Sequence, residues 1–147
     1  MELATKKALL ESSLERAADA LGDITPHVYE DYYARFPEAR TSFELLYPGG
    51  AKLLEGEMVS QALYCLMEWF DSPGEIEIIL LGTVPHHIET LGIQPYLFKE
   101  LIVAVCDTIQ ATIPAEEAGE RAIWAELRSE MLSLFAEAAA YARVKPA

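Results

Sequence analysis

Apolar residues recur every three or four positions along most of the chain, a spacing that lays one apolar stripe along a helix of 3.6 residues per turn. Leu10, Leu14, Ala17 and Leu21 make one such stripe, and Tyr29, Tyr32, Tyr33 and Phe36 a second. The pattern returns at Met58, Ala62, Cys65 and Trp69, flanked by Val59, Leu63, Leu66 and Phe70. That band is wide enough to predict a helix buried on more than one side. Leu97, Leu101, Ala104, Val105 and Ile109, then Ile123, Leu127, Met131, Leu134 and Ala138, complete the set.

Prolines punctuate these stripes. A proline at the first helical position loses only an amide hydrogen that has no partner there, so Thr25-Pro26, Phe36-Pro37, Gln94-Pro95 and Ile113-Pro114 are read as helix openings. Thr25 can cap its helix through its hydroxyl. The stretch from Ile76 to Val84 is rich in β-branched residues and could pass for a buried strand, but no second convincing strand exists to pair its backbone. It is assigned to helix or irregular turn, broken at Pro85. Tyr47-Pro48-Gly49-Gly50 and Asp71-Ser72-Pro73-Gly74 read as turns. The fold class predicted is all-α, with six to eight helices in a single domain over residues 1–147.

A chain of 147 residues can bury roughly 68–70% of its unfolded surface, and 52% hydrophobic residues supply the core to do so. A formal charge of −13 would repel a phosphate backbone or an anionic bilayer, so no nucleic-acid or membrane partner is expected. The longest apolar runs fall well short of the roughly 20 residues a membrane-spanning helix needs, and the amino terminus lacks a signal pattern. The location expected is cytoplasmic. Cys65 and Cys106 both fall on apolar stripes, where a free thiol behaves as a small buried hydrophobe.

Histidines stand at positions 27, 86 and 87, none in a zinc-type spacing with cysteines or in a His-Glu-x-x-His helix. Neither a phosphate-cradling Gly-x-x-x-x-Gly-Lys loop nor a Gly-x-Ser-x-Gly elbow is present. The segment with distinctive chemistry runs Pro85-His86-His87-Ile88-Glu89-Thr90-Leu91-Gly92-Ile93-Gln94-Pro95, with Tyr96, Leu97 and Phe98 opening the next apolar helix. It resembles the proximal region of globins, where a histidine late in one helix binds haem iron, a glycine corner follows, and a large apolar residue early in the next helix packs beneath the ring. Upstream, Tyr29, Tyr33, Phe36-Pro37 and Phe43 are spaced like the globin stretch that runs from a distal tyrosine or leucine to a haem-contacting phenylalanine. Trp124 and Phe135 fall where single-domain bacterial haemoglobins, the globin part of flavohaemoglobins, place similar aromatics.

The resemblance implies a globin fold around haem b (iron protoporphyrin IX), with His87 as metal ligand and Phe43, Val59, Leu63, Ile93 and Phe98 as apolar walls. His86 is the second choice for the iron; the spacing of His87 to Ile93 and Phe98 matches the resembling globins better. It implies Tyr29 as a distal donor, since a phenol aimed at dioxygen stabilises the partly negative outer oxygen, by about 0.5–1.5 kcal/mol. The plainer alternative for Tyr29 is a core tyrosine bonded to a backbone carbonyl. With Val59 over the iron, the distal helix position usually held by histidine or glutamine falls on Glu55, which must swing to solvent or hold a proton. A shift of one residue puts Leu54 there instead.

Where flavohaemoglobins back the proximal histidine with a tyrosine and a glutamate, this chain has Phe98 and, near the second place, Ala139. The expectation is therefore a gas-binding protein, monomeric or homodimeric, that binds oxygen, nitric oxide or carbon monoxide reversibly at pentacoordinate iron. The alternatives are a haem-dependent nitric-oxide dioxygenase or peroxidase using an external reductase, and a haem-free regulatory module with the same fold.

Overall fold

Seven α-helices and no strand make up residues 1–142, the part of the chain that the computed structural model describes. They are α1 (Leu3–Leu21), α2 (Thr25–Arg35), α3 (Pro37–Leu46), α4 (Ala51–Glu68), α5 (Pro73–Glu89), α6 (Pro95–Gln110) and α7 (Ala118–Ala140). Residues 143–147, the end of the expected 1–147 domain, lie outside the described residues. The fold is all-α, and among the described residues no helix is long and apolar enough to cross a membrane.

Proline opens four of these helices, α2, α3, α5 and α6. Two details differ from the sequence pattern. Pro73 begins α5 rather than belonging to a turn alone, and Pro114 sits in the connection that precedes α7 rather than at its first turn. At the start of α2 the capping acceptor is Asp23 Oδ1, which takes the Thr25 amide at 3.0 Å, so Thr25 is the capped residue and not the cap.

Helix α7 is the centre of the packing. It lies against α5, α1 and α6, while α6 also packs on α2. Its inward face carries Ile123, Trp124, Leu127, Met131, Leu134, Phe135 and Ala138, all buried. Fully burying a side chain of this size contributes about 1.5–3 kcal/mol, so this one face dominates the energetics of assembly. Two polar contacts fix α1 on α7. The Trp124 indole N–H donates to Ser13 Oγ at 2.7 Å, and that hydroxyl donates to the Leu10 carbonyl at 2.8 Å. One turn away, Arg16 grips the buried Glu120 carboxylate with two nitrogens, at 2.5 and 2.8 Å.

The break expected at Pro85 does not occur: α5 runs on to Glu89. A proline inside a helix removes one backbone bond and crowds the preceding turn. Here Ile76, Leu80, Val84 and Ile88, each four residues from the last, are all buried and bracket Pro85 on both sides. That stripe on α7 keeps the two halves of α5 in line. Helix α4 differs in the other direction. Only Val59, Cys65 and Leu66 of it are buried, because much of its apolar band borders open cavities rather than protein.

Ser13→Ala strands the Trp124 indole N–H in the core, and an unsatisfied buried donor costs about 1–3 kcal/mol. Urea unfolding should show a midpoint lowered accordingly, with an unchanged slope.

Candidate functional site

The last turn of α5 and the corner after it set one histidine against a cavity. Gly92 takes φ +68°, a left-handed conformation open to glycine at little cost, and the turn brings the Ile93 amide to the His87 carbonyl at 3.1 Å. The chain thus doubles back, so that Ile93 and the first turns of α6 face the same space as His87.

Within α5, His87 Nδ1 lies 2.8 Å from the Thr83 carbonyl oxygen, one helical turn back. A carbonyl only accepts, so Nδ1 carries the hydrogen and the neutral ring keeps its lone pair on Nε2. Burial lowers the pKa of His87 from its ordinary 6.5, and the neighbouring His86 lowers it further, against the opposing effect of the Thr83 bond. The neutral form therefore predominates at pH 7. Phe98 meets the imidazole edge-on, with ring centres 5.1 Å apart, and stacks in turn on Phe135 at 5.5 Å. His86 is exposed, its ring perpendicular to that of His87.

The cavity in front of His87 has a volume of about 340 Å³, at the lower end of the range for small-molecule sites. Phe43 of α3, Leu54 and Met58 of α4, and Leu97, Phe98 and Leu101 of α6 form its walls. Its mouth is marked by Leu46, Tyr47 and Leu91, large apolar residues that are nonetheless exposed. Behind Met58, Phe98 and Leu101 lies a second apolar space of about 50 Å³, bordered by Ala62, Cys65, Thr83 and Met131. Cys65 and Cys106 are free and buried, as their stripes suggested, and burial pushes the Cys106 thiol up to about 12.

Of the residues singled out in the sequence, Phe43, His87, Ile93 and Phe98 line the cavity together. Val59 is instead buried in the core, and Leu63 is half-buried outside the lining. Tyr29 and Glu55 face away, into an open crevice shared with Tyr33, Arg40 and Lys52. There Tyr29 donates its hydroxyl to the Glu55 backbone carbonyl at 3.1 Å, and Tyr33 donates to the Glu55 carboxylate at 2.7 Å. Compared with the pattern read from sequence, α4 is turned by one residue, about 100°, so Leu54 and Met58 take the places expected of Glu55 and Val59. Leu97, Leu101 and Tyr32 also line the cavity without having been singled out; the stripe containing Leu97 and Leu101 was visible, but not which part of it would border open space.

No family model, curated protein or solved structure matches the chain. Donors and walls are therefore the guide to its ligand. Among the described residues no three or more His, Cys, Asp or Glu gather as a metal site. A bare zinc ion, which takes four donors, would find only His87 and Glu57 of the usual ligand types in this lining. A neutral imidazole with its Nδ1–H fixed on a carbonyl and its Nε2 lone pair free has the donor chemistry of a single metal ligand.

Because burial holds the pKa of His87 below 6.5, the unfolded chain binds more protons than the folded one just below that pH. Stability from this residue is intact above about pH 6.5 and is lost as pH falls through the folded pKa. Urea unfolding at about pH 7.5 and about pH 5.5 should show the fall, and His87→Leu should reduce it.

Proposed function

We propose that the cavity binds haem b with His87 as the protein ligand to iron, and that the chain is a globin-type protein that takes a diatomic gas on the opposite face. The observation that carries this reading is a single imidazole, held by its Nδ1–H on the Thr83 carbonyl, standing in a mostly apolar cavity. Haem, when bound, would supply the redox-active metal. The chain's own residues hold the imidazole at one rotation and would wall the ring with aliphatic and aromatic groups.

Gas binding is favoured over oxidative turnover by what lies behind His87. Its Nδ1–H goes to a neutral backbone carbonyl, and Phe98 has no hydroxyl to join that bond. A carboxylate acceptor would make the imidazole a stronger electron donor; a carbonyl does so less.

One observation supports a second reading. The lining includes Glu57 but no lysine or arginine to meet the two propionates of haem. An uncharged apolar ligand would avoid that mismatch, in a haem-free module.

Titrating the purified chain with haemin separates the two. On the first reading a Soret band develops up to one equivalent and the thermal midpoint rises, because a ligand bound only by the folded state must raise it. His87→Ala should then lose the axial-ligand signature. Haemin that leaves both spectrum and midpoint unchanged supports the second reading.

A further inference from the structure

Resting on the second reading, an apolar ligand in place of haem, we infer that this ligand is an alkyl chain headed by a primary ammonium, with its tail in the cavity before His87 and its head on the Glu57 carboxylate at the rim. The lining calls for a ligand that donates hydrogen bonds, and an ammonium carries three donors and no acceptor.

Polar side chains are few in this lining, and they are acceptors or donors already committed. Glu57 is its one acid, no lysine or arginine stands beside it, and among the described residues its carboxylate has no hydrogen-bond or ion-pair partner. His87 adds a second acceptor, because its Nδ1–H is held by the Thr83 carbonyl and Nε2 keeps the lone pair. Tyr32 donates its hydroxyl to the Leu97 carbonyl at 2.7 Å, and Ser42 donates to the Glu38 carbonyl at 3.4 Å. Tyr47, half-exposed at the mouth, is the donor that remains. An ionised carboxylate head, which only accepts, meets like charge at Glu57; an ammonium meets a free carboxylate there.

The walls suit an unbranched tail. The main space of about 340 Å³ is divided by Met58, Phe98 and Leu101 from the narrower one of about 50 Å³, and all three residues line both. Met58 is itself unbranched and flexible, so this boundary can yield to a methylene chain passing from the wide space into the narrow one. Each methylene moved from water into such walls raises affinity by up to about fourfold. At the mouth the exposed Leu46 and Leu91 extend the apolar surface outward, toward the side where a charged head stays hydrated.

The test is calorimetric titration of the full purified chain with octylamine, octanol and octanoate at about pH 7 and about 0.15 M salt, which screens the general attraction of so acidic a protein for any cation. Octylamine should bind at least about tenfold more tightly than octanoate, with octanol between them. Glu57→Gln should weaken octylamine by about three- to fivefold, the range of an exposed ion pair. Glu130→Gln makes the same change of net charge at an exposed position of α7 and should leave octylamine binding unaltered. Octanol or octanoate binding as tightly as octylamine, or equal losses in the two variants, would overturn the inference while the second reading stands. If none of the three probes binds, that reading falls with it, and a Soret band on titration with haemin then leaves the first.

Discussion

The hydrogen bond from His87 Nδ1 to the Thr83 carbonyl is the constraint on which the candidate site depends. It fixes the tautomer, and with it the nitrogen that is free to act as a ligand. The bond spans four residues, one turn of helix, so it exists only if α5 stays helical past Pro85. That continuity comes from the buried stripe of Ile76, Leu80, Val84 and Ile88 packed on α7. The chemistry at His87 is therefore secured by the apolar face of a helix that does not line its cavity's mouth, and by a tryptophan-centred core that fixes α7 in place.

A second constraint is the rotation of α4. Of two orientations one residue apart, one would turn Glu55 and Val59 toward the cavity and the other turns Leu54 and Met58. Bringing an ionised carboxylate into an apolar cavity costs several kcal/mol, whereas covering Leu54 and Met58 is favourable by about 25 cal/mol per Å² of apolar surface. The outer side of α4 also offers Glu55 something the cavity does not. Tyr33 donates to its carboxylate, and Arg40 and Lys52 border the same crevice. Burial in turn raises the pKa of Tyr33, reinforced by its bond to Glu55, so that phenol stays a donor.

Most of the fold was legible because its signals are local. The stripes on α1, α6 and α7 are simple 3–4 spacings, and every residue named for the last two is buried. Pro85 misled because its cost is set by packing with α7, which is distant in sequence. Half of the site was legible for a related reason: His87, Gly92, Ile93 and Phe98 are a continuous segment, so their relative placement follows from one corner. The other side belongs to α4, whose apolar residues ring the helix so broadly that periodicity does not choose a rotation. Glu55 was in fact the best indicator, since a charge of that kind marks the face that must stay wet.

The same arrangement bears on whether the proposed site binds or turns over its ligand. Oxidative chemistry on oxygen or peroxide needs protons moved at the reacting atoms, by a side chain within hydrogen-bond reach whose pKa suits the task. Tyr32, one of two tyrosines that line the cavity, is unsuited, since burial raises its pKa and its hydroxyl donates to the Leu97 carbonyl. The histidine is committed through Nδ1, and Glu57 stands exposed at the rim. With Phe98 in contact with the imidazole, no hydroxyl there strengthens it as a donor of electron density either. On the proposed reading, a cavity walled this way suits holding a small neutral ligand more than moving protons on it.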